Sequence, residues 1–206
     1  MPDKKGYFIA FEGGEGVGKT TQMPLVGERL EKRGFDVVLT REPGGTALGN
    51  EIRSILLKGE VDKMSPMAEA LLFTAARSQH VEKVIKPALA AGKLVISDRY
   101  AGTTYAYQGY AHGLGVERME ELYRFVFGDF APDLTIVFDI PDGMAHGRLT
   151  EMNRMENFGG AWLKRGLDGF RDMARRYPGR CVLMDSVGTV PEVTGRIMKI
   201  IDEKMK

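Results

Sequence analysis

The chain has 206 residues, of which 43% are hydrophobic and 28% are charged, a composition that predicts one globular domain over residues 1–206. Its 29 basic and 28 acidic side chains give a net charge of +1, which argues against a general nucleic-acid binder. The lone cysteine, Cys181, excludes an internal disulfide, and no apolar run reaches the roughly 18 residues that span a bilayer. We therefore expect a cytoplasmic protein with neither membrane nor nucleic-acid partners.

Short β-branched and aromatic runs alternate along the chain with longer amphipathic stretches. The predicted strands are 7–11, 36–40, 94–97, 134–140 and 181–185. The predicted helices are 18–33, 46–57, 66–90, 116–127, 159–177 and 190–204. This alternation predicts an α/β fold with a five-stranded parallel sheet and helices on both faces. Ligands of such sheets bind at the carboxyl ends of the strands.

The stretch FEGGEGVGKTT, residues 11–21, contains the spacing G-x-x-x-x-G-K-[ST] between a predicted strand and a predicted helix. Glycines let backbone N–H groups surround phosphate oxygens, Lys19 adds a positive charge, and the Thr20 hydroxyl suits Mg²⁺. One alternative is a plain glycine-rich turn. Another, a dinucleotide fingerprint, fails because Lys19 stands where its third glycine belongs. We predict an ATP- or GTP-type site at Gly13, Gly14, Glu15, Gly16, Val17, Gly18, Lys19, Thr20 and Thr21, with Lys19 in a solvent-facing loop.

Charged residues follow the second and third predicted strands, where the carboxyl ends of a parallel sheet meet. Arg41 in TREPGGT and Arg99 in ISDRY are suited to phosphate, because a guanidinium donates two parallel hydrogen bonds. Asp98 suits Mg²⁺ or its bound water, and Asp139 at the end of the fourth strand is the competing carboxylate. We favour Asp98, and the alternatives for Arg41 are an ion pair with Glu42 or the capping of a helix.

A second nucleotide site is suggested by Phe73 and Arg77, which are one turn apart on the predicted helix 66–90. A ring there is placed to stack on a base whose edge the guanidinium reads. Packing of Phe73 in the core is the competing interpretation. The three histidines, His80, His112 and His146, are interpreted as solvated or locally hydrogen-bonded, because no metal-ligand spacing joins them.

Five motifs together resemble the thymidylate kinases, in matching order over most of residues 7–177. These are EGGEGVGKTT, TREPGGT, LLFTAARSQHVEKVIKPALAAGKLVISDRY, TTYAYQG and GDFAPDLTIVFDI. The resemblance implies a P-loop kinase fold with a small mobile lid at about 147–158. It also implies transfer of the γ-phosphoryl of ATP to thymidine 5′-monophosphate (dTMP) with Mg²⁺, and a homodimer for which helices 66–90 and 116–127 are candidate interfaces.

The same resemblance implies roles for individual residues. Lys19 and Thr20 would serve ATP and Mg²⁺, Glu15 the 3′-hydroxyl of the sugar, and Arg41 with Arg99 the acceptor phosphate. The remaining substrate residues would be Phe73 stacking on thymine, Arg77 at its O4, Thr104 at its N3, and Tyr107 and Gln108 along the sugar and base. The bulk of Tyr107 would exclude a 2′-hydroxyl.

The lid departs from the family pattern, because Asn153 precedes Arg154 where bacterial relatives usually carry aspartate. Gly16 stands where the eukaryotic subgroup has a P-loop arginine, so the resemblance implies a lid arginine, either Arg148 or Arg154. We favour Arg154 because it follows the turn-like segment TEMN, which we expect to be able to swing over ATP.

Two other functions remain compatible with parts of the sequence. A kinase for another nucleoside or deoxynucleoside monophosphate would share the P-loop and Arg41 and differ in the base pocket. A P-loop switch without enzymatic activity would have no reason to carry a second phosphate-and-base site.

Overall fold

The computed structural model describes residues 6–141 and 154–205, and within them the predicted α/β architecture is confirmed. The strands are β1 Tyr7–Gly13, β2 Val37–Arg41, β3 Leu94–Asp98, β4 Leu134–Asp139 and β5 Cys181–Asp185. The helices are α1 Lys19–Glu31, α2 Ala47–Leu57, α3 Pro66–His80, α4 Lys86–Ala90, α5 Ala101–Thr104, α6 Val116–Phe127, α7 Gly160–Arg176 and α8 Val190–Lys204.

The five strands form one parallel sheet in the order β2-β3-β1-β4-β5. Strand β1 is central, so the loop that follows it opens between the ends of β3 and β4. The register pairs Phe11 of β1 with Asp98 of β3, and Asp98 with Arg41 of β2. The charged residues predicted from three separate motifs therefore lie at one edge of the sheet.

The alternation of side chains along β1 builds two cores, one on each face of the sheet. Ile9 and Phe11 pack with residues of α1 and α8 such as Leu30 and Ile197. Phe8 and Ala10, on the opposite face, pack with Ile85 and Tyr100. All of these side chains are almost fully buried. Helices therefore cover both faces, as the sequence pattern predicts.

Two helical features were not predicted. The expected helix 66–90 is continuous but contains a π-helical turn, Val81–Ile85, between α3 and α4. A further helical stretch follows β3, with α5 leading into a π-helical segment, Tyr105–Ala111. This second stretch carries Tyr107 and Gln108. In the part of the chain that the structure describes, no helix is long and apolar enough to cross a membrane.

Candidate active site

The backbone conformation of the phosphate-binding loop (P-loop, residues 13–20) depends on its glycines. Gly13 has φ +130°, and a Cβ there would lie 2.5 Å from the Phe138 carbonyl oxygen. Gly18 has φ +98° and immediately precedes α1, which begins at Lys19. Glycine is favoured at such angles because other residues meet steric conflict. The loop thus delivers the amino end of α1, with its free backbone N–H groups, to the sheet edge where an anion is stabilised.

Lys19 is buried, so the expectation of a solvent-facing lysine is wrong. Its side chain bends back under the loop, where Nζ donates hydrogen bonds to the carbonyls of Gly13 at 3.0 Å and Gly14 at 2.6 Å. Only 5% of the residue is exposed. Burial, together with the positive charge of Arg99, lowers the pKa of Lys19 to about 8. The ammonium is held at the phosphate site without a full counter-charge.

This pKa makes ATP binding dependent on pH. The polyphosphate stabilises the charged ammonium and raises its pKa, so binding above about pH 8 must be accompanied by proton uptake. We expect ATP affinity to be constant below about pH 8 and to fall by up to about tenfold per pH unit above it. Calorimetric titration with ATP across this range measures the effect. Lys19→Met should abolish the pH step, and an affinity in the unsubstituted protein that stays constant to about pH 10 would contradict this assignment.

Thr20 and Asp98 converge beside the lysine. Thr20 Oγ1 donates to Asp98 Oδ2 at 3.2 Å, while Asp98 Oδ1 is buried and has no hydrogen-bond partner among the described residues. A hydroxyl next to a carboxylate with a spare oxygen fits Mg²⁺, which takes one or two protein oxygens and completes its shell with water and phosphate. The competing carboxylate, Asp139, accepts hydrogen bonds from Arg171 Nε at 3.0 and 3.2 Å.

Arg99 is held in a strained conformation, the one non-glycine residue of the described chain with a positive φ, at +70°. Its guanidinium donates to the Gly13 carbonyl at 2.9 Å and to Glu15 Oε1 at 2.6 Å. Burial would raise the pKa of Glu15, but the charges of Arg99 and Lys19 outweigh it and hold the pKa below its usual range. Arg99 is thus paired with the Glu15 carboxylate, which an incoming phosphate could displace.

Three arginines from different elements surround one crevice. Arg41 ends β2, Arg53 lies on α2, and Arg99 follows β3; all three line a cavity of about 540 Å³ together with Lys19 and Thr20. Burial and the neighbouring charges of Arg41 and Arg99 lower the pKa of Arg53. Such a concentration of positive charge, enclosed beside a P-loop, is suited to two phosphorylated ligands.

Apolar side chains of one hydrophobic cluster line another part of the crevice, its apolar end. Phe73 and Tyr107 line it there, with Pro43, Leu57 and Met155. Tyr107 is fixed by ring contacts with Trp162 and Phe170, at centroid distances of 4.8 and 5.6 Å. Phe73 is 4% exposed and belongs to the same hydrophobic cluster, so it both packs in the core and faces the crevice.

Three predicted substrate residues do not line this crevice. Arg77 and Thr104 line a neighbouring cavity of about 290 Å³ that includes Tyr100. Arg77 donates to Glu42 Oε2 at 2.7 Å, to the Tyr100 carbonyl at 2.9 Å and to Thr104 Oγ1 at 3.1 Å. Gln108 is fully buried and lines neither cavity. Their proposed contacts with a base require these buried side chains to form new hydrogen bonds.

The expectation that Arg154 lies on a segment free to swing over ATP is wrong. Arg154 is 1% exposed. Its guanidinium donates to the carbonyls of Leu56 at 2.8 Å and Val61 at 3.1 Å, and forms a very short ion pair with Glu69. The other candidate, Arg148, lies outside the described residues.

Of the two interpretations of the histidines, solvation is wrong for His80 and hydrogen bonding is confirmed. His80 is fully buried, with Nε2 at 2.7 Å from Thr40 Oγ1 and Nδ1 at 2.9 Å from Glu42 Oε1. His112 Nε2 lies 3.2 Å from Glu69 Oε1. Both therefore belong to buried polar networks between distant segments, rather than to solvent, and His146 lies outside the described residues.

Sequence reasoning missed Arg53, which lines the crevice, and Glu12, which lines the neighbouring cavity of about 290 Å³. Glu12 is completely buried at the end of β1, where it accepts hydrogen bonds from the backbone N–H groups of Tyr100 and Thr103 and from the Thr103 hydroxyl. Burial raises its pKa, against the opposing charge of Arg99. A carboxylate inside the apolar run YFIAFEG was the available signal. For Arg53 there was none, because helical periodicity does not say which polar residue faces a ligand.

Comparison with known proteins agrees with this geometry. A family model described as thymidylate kinase matches residues 11–194. Thymidylate kinases from a Synechococcus species (strain JA-2-3B'a(2-13)) and from Desulfosudis oleivorans are 43% and 42% identical to this chain. The first alignment covers 96% of this chain and 95% of the relative, and the second covers 95% and 96%.

A solved structure indicates the same family. The crystal structure of thymidylate kinase from Ehrlichia chaffeensis matches with a TM-score of 0.79 at 35% identity, over 95% of this chain and 98% of that one. On these grounds the chain belongs to the thymidylate kinase family.

Proposed function

We propose that the crevice transfers the γ-phosphoryl group of ATP to dTMP, giving ADP and thymidine diphosphate. One observation carries the proposal: the P-loop, three convergent arginines and an apolar end lined by Phe73 occupy a single cavity. A P-loop switch has no use for the second half of such a site. Family membership selects thymidylate from the nucleoside monophosphates that the geometry alone would admit.

The chain's own residues perform the work by binding and orienting. The acceptor oxygen of a monophosphate is already anionic, so no general base is needed, and the main barrier is repulsion between two polyanions. Arg41, Arg53 and Arg99 offset the charge of the acceptor phosphate, while Lys19 and the amino end of α1 hold the donor. Thr20 and Asp98 would hold Mg²⁺, which when bound neutralises charge on the β- and γ-phosphates.

A substrate panel tests the proposal directly. With ATP and Mg²⁺ in excess, the purified protein should phosphorylate dTMP far better than thymidine, cytidylate or adenylate. Thymidine lacks the acceptor phosphate and is the control for the arginine cluster. Equal use of adenylate would transfer the assignment to a kinase for another nucleoside monophosphate, and absence of any transfer would favour a nucleotide-binding switch.

Phe73 is expected to stack on the thymine ring. Stacking on one aromatic side chain is worth on the order of 1 to 3 kcal/mol, so Phe73→Ala should weaken dTMP binding by roughly 10- to 100-fold. Because Phe73 also packs in the core, Phe73→Leu is the informative partner: it retains apolar bulk but has no aromatic face. Calorimetric titration with dTMP should show weakened binding in both variants. Normal affinity in Phe73→Leu would mean that Phe73 is a packing residue alone.

We also propose a homodimer formed through α3 and α6, in a cytoplasmic protein. The two helices pack against each other and carry exposed apolar side chains, with Phe125 89% and Leu71 51% exposed. Aromatic side chains left this exposed are typical of association surfaces. Phe125→Asp should therefore shift the protein to a monomer in sedimentation experiments. Unchanged sedimentation of this variant as a dimer would place the interface elsewhere.

A further inference from the structure

The Arg99 guanidinium is held firmly at one nitrogen and exchangeably at the other. Nη1 donates to the Gly13 carbonyl at 2.9 Å and to Thr103 Oγ1 at 3.1 Å, and both contacts are buried. Nη2 donates to Glu15, whose side chain is 28% exposed and lines the crevice. A phosphate that enters the crevice can replace Glu15 at Nη2 while Nη1 keeps its protein partners. The orientation in which Arg99 meets a ligand is therefore set at Nη1.

The Thr103 hydroxyl connects Arg99 to a buried carboxylate. A guanidinium only donates hydrogen bonds, so the Thr103 oxygen accepts from Nη1 and its own proton is directed elsewhere. The hydroxyl donates to Glu12 Oε2 at 2.8 Å. Glu12 Oε1 in turn accepts from the backbone N–H groups of Tyr100 at 2.9 Å and Thr103 at 3.1 Å. Guanidinium, hydroxyl and carboxylate thus form a chain in which each hydrogen bond strengthens the next.

Glu12 also holds the backbone that carries Arg99. A positive φ such as the +70° of Arg99 persists only where surrounding contacts determine it. The Arg99 N–H donates to the Phe11 carbonyl at 2.8 Å, and the Arg99 carbonyl accepts from Ser97 Oγ at 2.7 Å. The next N–H along the chain, that of Tyr100, is the one that Glu12 binds. The carboxylate therefore contributes to both the backbone and the side-chain conformation of Arg99.

The protein around Glu12 leaves no room for a ligand beside its carboxylate. Glu12 has no exposed surface, and a Cβ at Gly102 of α5 would lie 2.7 Å from Glu12 Oε1. Thr103 lines the crevice, whereas Glu12 lines only the neighbouring cavity. Glu12 can thus act on a ligand of the crevice only through Thr103 and Arg99.

We propose that Glu12 and Thr103 are positioning residues for phosphate recognition: together they fix Nη1 of Arg99, so that Nη2 is presented to the acceptor phosphate. The inference rests on the proposed function, in which Arg99 binds that phosphate, and extends it to a carboxylate that does not touch the substrate. Its signature is an effect on the phosphate part of the ligand alone. Thymidine, which lacks the phosphate, should bind equally well with or without this anchor.

Thr103→Val tests the inference, because it removes the hydroxyl at nearly equal volume. We expect the dissociation constant of dTMP to rise roughly tenfold to a hundredfold and that of thymidine to change by less than about twofold, as measured by calorimetric titration. Thr103→Ser keeps the hydroxyl and should restore dTMP binding. Equal weakening of both ligands, or weakening of neither, would overturn the inference. Thr74→Val, at a buried threonine whose hydroxyl donates to its own helix, is the matched control and should bind both ligands normally.

A double-mutant cycle identifies the route through Arg99. Arg99→Met removes the guanidinium, so adding Thr103→Val to it should leave the preference for dTMP over thymidine unchanged. A preference that falls further in the methionine background would refute the route.

Glu12→Gln tests the carboxylate end of the chain. With its Oε1 still bound to the two backbone N–H groups, the new amide would direct its NH₂ at the Thr103 oxygen and compete there with Arg99. The preference for dTMP should fall as in Thr103→Val, and an unchanged preference would overturn the role of Glu12. If Glu12→Gln fails to fold, Glu12→Asp, which keeps the charge but withdraws it from Thr103, supplies the same comparison. An unsubstituted protein that binds dTMP no more tightly than thymidine would instead refute the proposed function.

Discussion

Replacing Lys19 with alanine is expected to abolish phosphoryl transfer while the protein remains folded. The ammonium is held under the P-loop by the carbonyls of Gly13 and Gly14, and in this buried place its charge acts on phosphate with little screening by solvent. Loss of one preorganised group of this kind costs roughly 10²- to 10³-fold in turnover, and Lys19 serves both the ground state and the transition state. Turnover of Lys19→Ala should therefore fall at least that far, even at saturating ATP.

Two measurements accompany that prediction. Circular dichroism and thermal unfolding should show a folded protein, because the ammonium binds loop carbonyls and Lys19 belongs to none of the hydrophobic clusters of the described residues. Lys32→Ala, which removes an exposed lysine just after α1 that pairs with Glu28 of this helix, should be fully active. Turnover like that of the unsubstituted protein in Lys19→Ala would show that the loop does not hold the transferring phosphate.

The two arginines of the predicted lid are expected to give opposite phenotypes. An arginine that meets the γ-phosphate mainly in the transition state is worth roughly 10³ to 10⁵ in rate, with KM little changed. We propose Arg148 for this transition-state role, because the Arg154 guanidinium already binds Glu69 and two backbone carbonyls. Arg148→Ala should then lower kcat by that factor in a protein that melts normally.

Arg154→Ala should instead destabilise the fold. Removing one member of a buried ion pair leaves the other uncompensated at a cost of roughly 3 to 5 kcal/mol, which corresponds to a fall of roughly 6 to 20 °C in Tm for a chain of this size. Below that melting temperature its kcat should fall by less than about tenfold. Arg175→Ala, at an exposed arginine of α7, is the matched control and should melt normally. A large loss of kcat in Arg154→Ala with normal melting would return the transition-state role to Arg154.

The sheet and the P-loop were predictable because local signals determine both. Buried parallel strands appear as short β-branched runs, and G-x-x-x-x-G-K-[ST] between a strand and a helix has one common structural outcome. Arg41 and Arg99 were found for the same reason: each follows a strand directly, and all parallel strands end at one edge. Phe73 lines the crevice as predicted, although its helical spacing is equally typical of a core residue.

The features that were missed depend on contacts between distant segments. Glu69 and Arg154 are 85 residues apart, so the sequence around Arg154 does not indicate that it pairs with the buried Glu69 carboxylate. Glu42 binds both Arg77, predicted to contact a ligand, and His80, predicted to be solvated or locally hydrogen-bonded, so the two residues belong to one buried network. The helical stretch after β3 was missed because AGTTYAYQGYA mixes glycine, threonine and aromatic residues without helical periodicity.

The most direct test of the central claim is the structure of a complex with dTMP, Mg²⁺ and an ATP analogue that cannot be hydrolysed. The account predicts the thymine ring against Phe73, the acceptor phosphate among Arg41, Arg53 and Arg99, and the donor phosphates over Lys19. Mg²⁺ should lie between Thr20 and Asp98. A nucleoside monophosphate bound instead in the 290 Å³ cavity beside Tyr100, or with its base away from Phe73, would contradict the assignment of the crevice as the site of phosphoryl transfer.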